Sequence, residues 1–180
     1  MTRLALICFL STVLLQLPPA LAASSEVDFK GKLVAEPCLV AAGGDAENVV
    51  VDFGTISGKT FYSISGRRTW LKPFHILLHD CDLTLGTSVK ITFLGAEDTE
   101  QPGLLAVTST SGVSHVAVGL KTETGKDLNF NSPSDAYLLS SGNTELKFKA
   151  YIQASDDGVK NRSVGFGSFE AITTFRLEYS

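Results

Sequence analysis

The stretch GSFEAITTFRLEYS, residues 167–180, closes the chain with a period of two. Counting back from Tyr179, one face carries Leu177, Phe175, Thr173, Ala171, Phe169 and Gly167. The other carries Glu178, Arg176, Thr174, Ile172, Glu170 and Ser168. Successive side chains of a strand point to opposite faces, so the alternation predicts one long strand with large apolar groups on a single side. Such a face has to be covered, by the rest of its own sheet or by something else.

Working back from this end, the same period recurs. SVKITFLG sets Val89, Ile91 and Phe93 against Lys90 and Thr92, and TELKFKAYIQ sets Leu146, Phe148, Ala150 and Ile152 against Lys147, Lys149 and Gln153. HVAVGLKTE places Val116, Val118 and Leu120 on one side, while VVVDFG and FHILLHDC are short apolar runs suited to buried strands. Turn-rich stretches separate them: AAGGDAEN, GAEDTEQPG, NSPSD and SSGN. No sustained 3.6-residue period competes, so the fold class is all-β, an antiparallel sandwich of the immunoglobulin-like kind.

The other end of the chain alternates too. In SSEVDFKGKLVAEPC, residues 24–38, Val27, Phe29, Gly31 and Leu33 share a face opposite Asp28, Lys30 and Lys32. Ahead of it lies MTRLALICFLSTVLLQLPPALA, with Arg3 at the start, an apolar run, and Ala20-Leu21-Ala22 as a small-residue cleavage site. That pattern is a secretory signal peptide, residues 1–22. A membrane span needs about 20 apolar residues, and Gln16 and Pro18-Pro19 interrupt this run.

Cleavage after Ala22 leaves 158 of 180 residues, enough for one domain with a core of its own. It also removes Cys8, leaving Cys38 and Cys81, which in an oxidising compartment predict one disulfide. A two-cysteine metal site would need histidines at short spacing, which His75, His79 and His115 do not supply. Without Arg3 the charge is 14 minus 19, or −5, and mild acidity argues against nucleic-acid binding.

Enzyme signatures are missing. SGKT at residues 57–60 invites a phosphate-loop reading, but Gly54 and Gly58 enclose three residues rather than four, and FYSIS favours extended structure where a helix should follow. Asp80 and Asp82 flank a cysteine expected to be oxidised, the serines lack a nucleophile-elbow context, and the histidines form no triad. Arg67, Arg68 and Trp70 are expected to cover a sheet edge, with a surface contact patch as the alternative, and Asn161-Arg162-Ser163 matches a glycosylation acceptor. No cofactor, metal or small-molecule substrate is expected.

The two ends together resemble those of pilus subunits assembled by the chaperone–usher pathway. The matching features are Phe29-Lys30-Gly31 in an N-terminal strand, Pro37-Cys38, a second cysteine in LHDC, Gly167 near the C-terminus and the penultimate Tyr179. VDFKGKLVAEPC is most similar to the adaptor and minor tip subunits of P-type pili. The resemblance implies a sandwich lacking its final strand and completed by a donor strand from another chain. It makes residues 23–36 a donor-strand extension carrying Val27, Phe29, Gly31 and Leu33, and residues 37–180 the pilin domain. Gly167, Phe169, Ala171, Thr173, Phe175, Leu177 and Tyr179 would line the groove, and basic residues of a periplasmic chaperone would grip the carboxylate of Ser180. Thr173 departs from the aliphatic residue expected in its pocket. The implied partners are that chaperone, an outer-membrane usher and neighbouring pilins, and the implied place is a surface fimbria. A carbohydrate-binding secreted sandwich or adhesin is the other function class, and a major rod subunit or a terminator the other pilin roles.

Overall fold

Period-two alternation becomes two antiparallel sheets. The structure, a computed structural model, describes residues 30–31, 35–41, 49–63 and 66–180. Residues Val34–Ser180 form one compact unit. Its strands are β1 (Leu39–Ala41), β2 (Lys72–Cys81), β3 (Ser88–Leu94), β4 (Leu105–Ala106), β5 (Val116–Thr122), β6 (Asp127–Leu128), β7 (Tyr137–Leu138), β8 (Gly142–Ala154) and β9 (Thr174–Tyr179). One sheet runs β1-β2-β8-β5-β4 with β6 also paired to β5, and the other runs β7-β3-β9.

The faces follow the sequence. Along β8, Leu146, Phe148, Ala150 and Ile152 are each at most 2% exposed, while Glu145 and Lys147 at the alternate positions face solvent. Phe93 of β3 meets Phe148 of β8 edge-on with ring centres 5.2 Å apart, and Phe74 of β2 lies 6.2 Å from Phe93. These edge-to-face aromatic contacts join the two sheets across the core. The Cys38–Cys81 disulfide ties the residue before β1 to the last residue of β2, and the Asp82 N–H donates to the Pro37 carbonyl beside it at 2.7 Å.

Past Ala150 the outer face of β8 is covered as well. Tyr151 lies over Gly119, its Cα partner on β5, so closely that a Cβ on Gly119 would sit 2.2 Å from the ring. Arg68 stacks over the same ring at 5.5 Å. Backbone bonds from Thr69 N–H to the Ile152 carbonyl (2.9 Å) and from Ala154 N–H to the Arg67 carbonyl (2.8 Å) hold residues 67–69 along β8. Arg67 and Arg68 therefore run along the sheet as expected, whereas Trp70 covers nothing: it is 92% exposed.

Two local expectations are corrected, and one short helix joins the strands. Gly58–Tyr62 form a 3-10 helix, not extended chain, because Phe61 turns inward and is 5% exposed. A five-residue helix, Asp156–Lys160, is capped by Ser155, whose hydroxyl accepts the Gly158 N–H at 3.0 Å. Finally, the closing strand is not continuous from 167. β9 begins at Thr174, and upstream of it Glu170 makes an isolated bridge with Thr108. The break has named causes. Ser111 Oγ donates to the Ser168 carbonyl and accepts the Ser168 N–H, drawing that segment toward residues 109–111. Thr173 donates its hydroxyl to the Leu94 carbonyl at the end of the β3–β9 ladder.

Candidate functional site

β9 is the last strand of its sheet, with β3 on one side and no ladder partner among the described residues on the other. Its burial alternates as the sequence demands, yet Phe175, Leu177 and Tyr179 on the inner face are only half-buried. Core-facing aromatics in that state mean that the sandwich is open along this edge.

The opening is a groove of about 1050 Å³. One wall is the segment 165–175, and the other is residues 49–56. Its floor is the core itself, including Ile76, Phe93, Val118, Leu120, Phe130 and Ile152, drawn from both sheets. Residues 49–56 supply Val49, Val51, Phe53 and Ile56, which alternate with the exposed Val50, Asp52 and Gly54. Asp52 shapes this wall: its carboxylate accepts the Gly54 N–H at 2.7 Å, and its carbonyl accepts a bond from Lys72 Nζ. Gly54 sits at φ +61, in the left-handed region that a turn of this kind needs.

The C-terminal residues named from the sequence divide along this wall. Gly167, Phe169, Ala171, Thr173 and Phe175 line the groove. Leu177 and Tyr179 continue the same face below it and pack on the core. Thr173, odd on hydropathy, owes its place to the bond with Leu94, so its hydroxyl is satisfied locally. Gly167 is needed for contact, since a Cβ there would lie 2.3 Å from Ser111 Oγ. The terminal Ser180 carbonyl oxygen accepts backbone N–H bonds from Thr87 (3.0 Å) and Ser88 (2.9 Å).

At the foot of the groove, Tyr137 and Tyr179 flank Val89, each its Cα partner on one side. Both hydroxyls are buried without a hydrogen-bond partner. Burial pushes both phenols above their ordinary pKa, helped by the charge of Asp135 at Tyr137 and of Glu36 at Tyr179.

Val27, Phe29 and Leu33 lie outside the described residues, and Gly31, the remaining member of that set, is exposed. VVVDFG, expected as a buried strand, is instead unpaired chain that forms part of the wall 49–56. The alternation of Val49, Val51 and Phe53 was the available signal. The histidines are scattered, each beside a different carboxylate: His75 with Glu145, His79 with Asp80, His115 with Glu100. Among the described residues no cluster of His, Cys, Asp and Glu could hold a metal ion.

An edge-open sandwich with a groove reaching its core is a geometry that known proteins share. A family model described as fimbrial protein matches residues 27–180. The chain belongs to the fimbrial protein family. It is 31% identical over 175 residues to the putative minor fimbrial subunit PmfF of Proteus mirabilis, covering 93% of this chain and 94% of that one. It is 33% identical over 163 residues to the fimbrial adapter PapK of Escherichia coli, covering 88% of this chain and 89% of that one. The crystal structure of the P pilus rod subunit PapA superposes with a TM-score of 0.65 at 25% identity, covering 81% of this chain and all of that one. This pilin of the chaperone–usher type is thus a structural subunit of a fimbria and not an enzyme, built on an immunoglobulin-like sandwich short of one strand.

Proposed function

We propose that this pilin is a minor or adaptor subunit of an adhesive fimbria that polymerises by donor-strand exchange. The supporting observation is the groove: an opening whose floor is the hydrophobic core and whose wall, residues 165–175, leads into β9, which has no ladder partner on that side among the described residues. In this reading residues 1–22 are removed on export, and residues 23–36 leave the domain to fill the groove of another pilin. An incoming extension of the same kind fills this one. Residues 27–33 span about 20 Å when extended, and the eight steps from 167 to 175 reach at most about 26 Å, so the alternating Val27, Phe29, Gly31 and Leu33 match the length of the wall. Until then a periplasmic chaperone occupies the groove and holds the Ser180 carboxylate, and an outer-membrane usher exchanges it for the neighbour. The groove is lined without a gap from Gly165 to Phe175, which favours a subunit that receives a neighbour over a chain terminator. The likeness to the minor subunit PmfF and the adapter PapK is what suggests the minor or adaptor role, and the likeness to the rod subunit PapA makes a rod role the second reading.

The test is a thermal melt of the chain 23–180, alone and with a synthetic peptide of residues 23–36. A donor at 100 times its Kd adds about 2.7 kcal/mol, roughly 10 °C for a domain of this size. A peptide carrying Phe29→Asp gives no rise. A chain that melts as a stable monomer and ignores both peptides refutes the donor-strand reading.

A further inference from the structure

Apart from Val50 and Ile172 on the groove walls, the most exposed large apolar side chains gather toward the two ends of the sandwich. β2 spans about 30 Å from Lys72 to Cys81, with Trp70 two residues before its start and Leu83 two residues after its end. At the first pole Trp70 is 92% exposed and Phe166 64% exposed, the latter packed on Gly58. An Arg67–Asp156 ion pair and Arg162 stacked 5.7 Å from the Tyr62 ring bind this pole together. At the second pole Leu85 is 52% and Leu138 81% exposed. Gly86 abuts Pro37, and the Leu139 N–H donates to the Thr87 carbonyl at 2.9 Å, so both leucines surround the point where residues before 37 join the domain.

We propose that the two poles meet head to tail: the Leu83, Leu85 and Leu138 pole of one copy packs on the Trp70 pole of the second copy whose groove holds its extension. The inference rests on the donor-strand reading. With Leu33 as the last side chain in the neighbour's groove, four Cα steps lead to Pro37, at most about 14 Å of chain. So short a tether forces the neighbour's body against the pole where Pro37 enters. The groove ends at Gly165 and Phe166, which belong to the Trp70 pole. Charge selects the same pairing. Glu36 beside Pro37, and Asp80 and Asp82 beside Cys81 and Leu83, give the leucine pole a negative rim, so two such poles repel. Arg67, Arg68 and Lys72 rim Trp70. A contact between unlike patches also propagates into an open fibre, whereas a like-to-like contact closes on a dimer.

Trp70 is the only tryptophan in the chain, so its fluorescence reads the contact directly. The chain 23–180 is allowed to assemble into oligomers that survive unheated detergent gels, and emission and acrylamide quenching are compared with those of the monomer and of the monomer bound to the 23–36 peptide. Expected are a blue shift and loss of quenching in the oligomer, and solvent-exposed emission in the peptide complex, which has a filled groove but no neighbouring body. A Leu85→Asp/Leu138→Asp variant should still form the oligomers while its Trp70 stays quenchable. Oligomers with unchanged emission, a shift that survives in the double variant, or a shift caused by peptide alone would each overturn the pole contact and leave donor exchange standing. Absence of detergent-stable oligomers from the native chain overturns the contact between copies, while the peptide melt decides the donor-strand reading by itself.

Discussion

Ala171 offers a perturbation with opposite effects on two measurements. Its side chain is half-buried on the groove wall and packs on the core. Ala171→Leu adds three carbons that project into the opening. At about 0.8 kcal/mol per buried carbon, halved for the half-exposed site, the added burial is worth about 1.2 kcal/mol. Restricting the new rotamers costs about 0.5 kcal/mol. The uncomplemented chain should therefore gain roughly 0.7 kcal/mol, or about 2 °C in Tm. The same carbons occupy space that a donor side chain requires. Excluding one such side chain costs about 1.5–3 kcal/mol, so the 23–36 peptide should bind about 10- to 150-fold more weakly. The assay pairs a thermal melt with an anisotropy titration of labelled peptide. Arg176→Thr is the control, since Arg176 is exposed on the outer face of β9, does not line the groove, and should leave the peptide's affinity unchanged. A lowered Tm for Ala171→Leu, or an unaltered Kd, would refute the assignment of this wall to the donor.

Two further outcomes follow from features elsewhere. Replacing both Cys38 and Cys81 with serine opens a loop of sequence separation 43 and should cost about 4 kcal/mol in the chain-entropy model, read as a shift in denaturant midpoint; a loss below 1 kcal/mol contradicts it. Burial raises the pKa of Tyr137, Tyr151 and Tyr179, so the folded chain holds these protons more tightly than the unfolded one. That stabilisation is complete below the ordinary phenol pKa of about 10 and is lost as pH rises through the higher folded values. Tm should fall above about pH 10, with native phenolate absorbance appearing at higher pH than in the unfolded chain; coincident titrations would contradict the burial argument.

The sheets were legible because most of their strands are long enough to carry a period: β8 shows six alternations, and its inner face is buried as written. β4, β6 and β7 are two residues each and carry no period. The break in the closing strand was hidden for another reason. It depends on Ser109 and Ser111, about 60 positions away, and on a carbonyl at Leu94, so no local window contains it. The site was half legible. One wall lies in a contiguous alternating stretch, whereas the opposite wall matters only because residues 49–56 end up facing it across an unfilled gap.

The disulfide has a mechanical consequence. Tension applied to the chain ahead of residue 37 meets the covalent bridge at Cys38 before it reaches β1, whose three residues hold the sheet by a few hydrogen bonds. The load passes through sulfur to Cys81 and enters at the end of β2. There the long β2–β8 ladder, paired from Lys72 to Cys81, resists in shear with many bonds strained together, not peeled one after another. A fibre pulled from its ends would thus stretch these subunits against their strongest seam, and reducing a single bond would move the point of failure to their weakest.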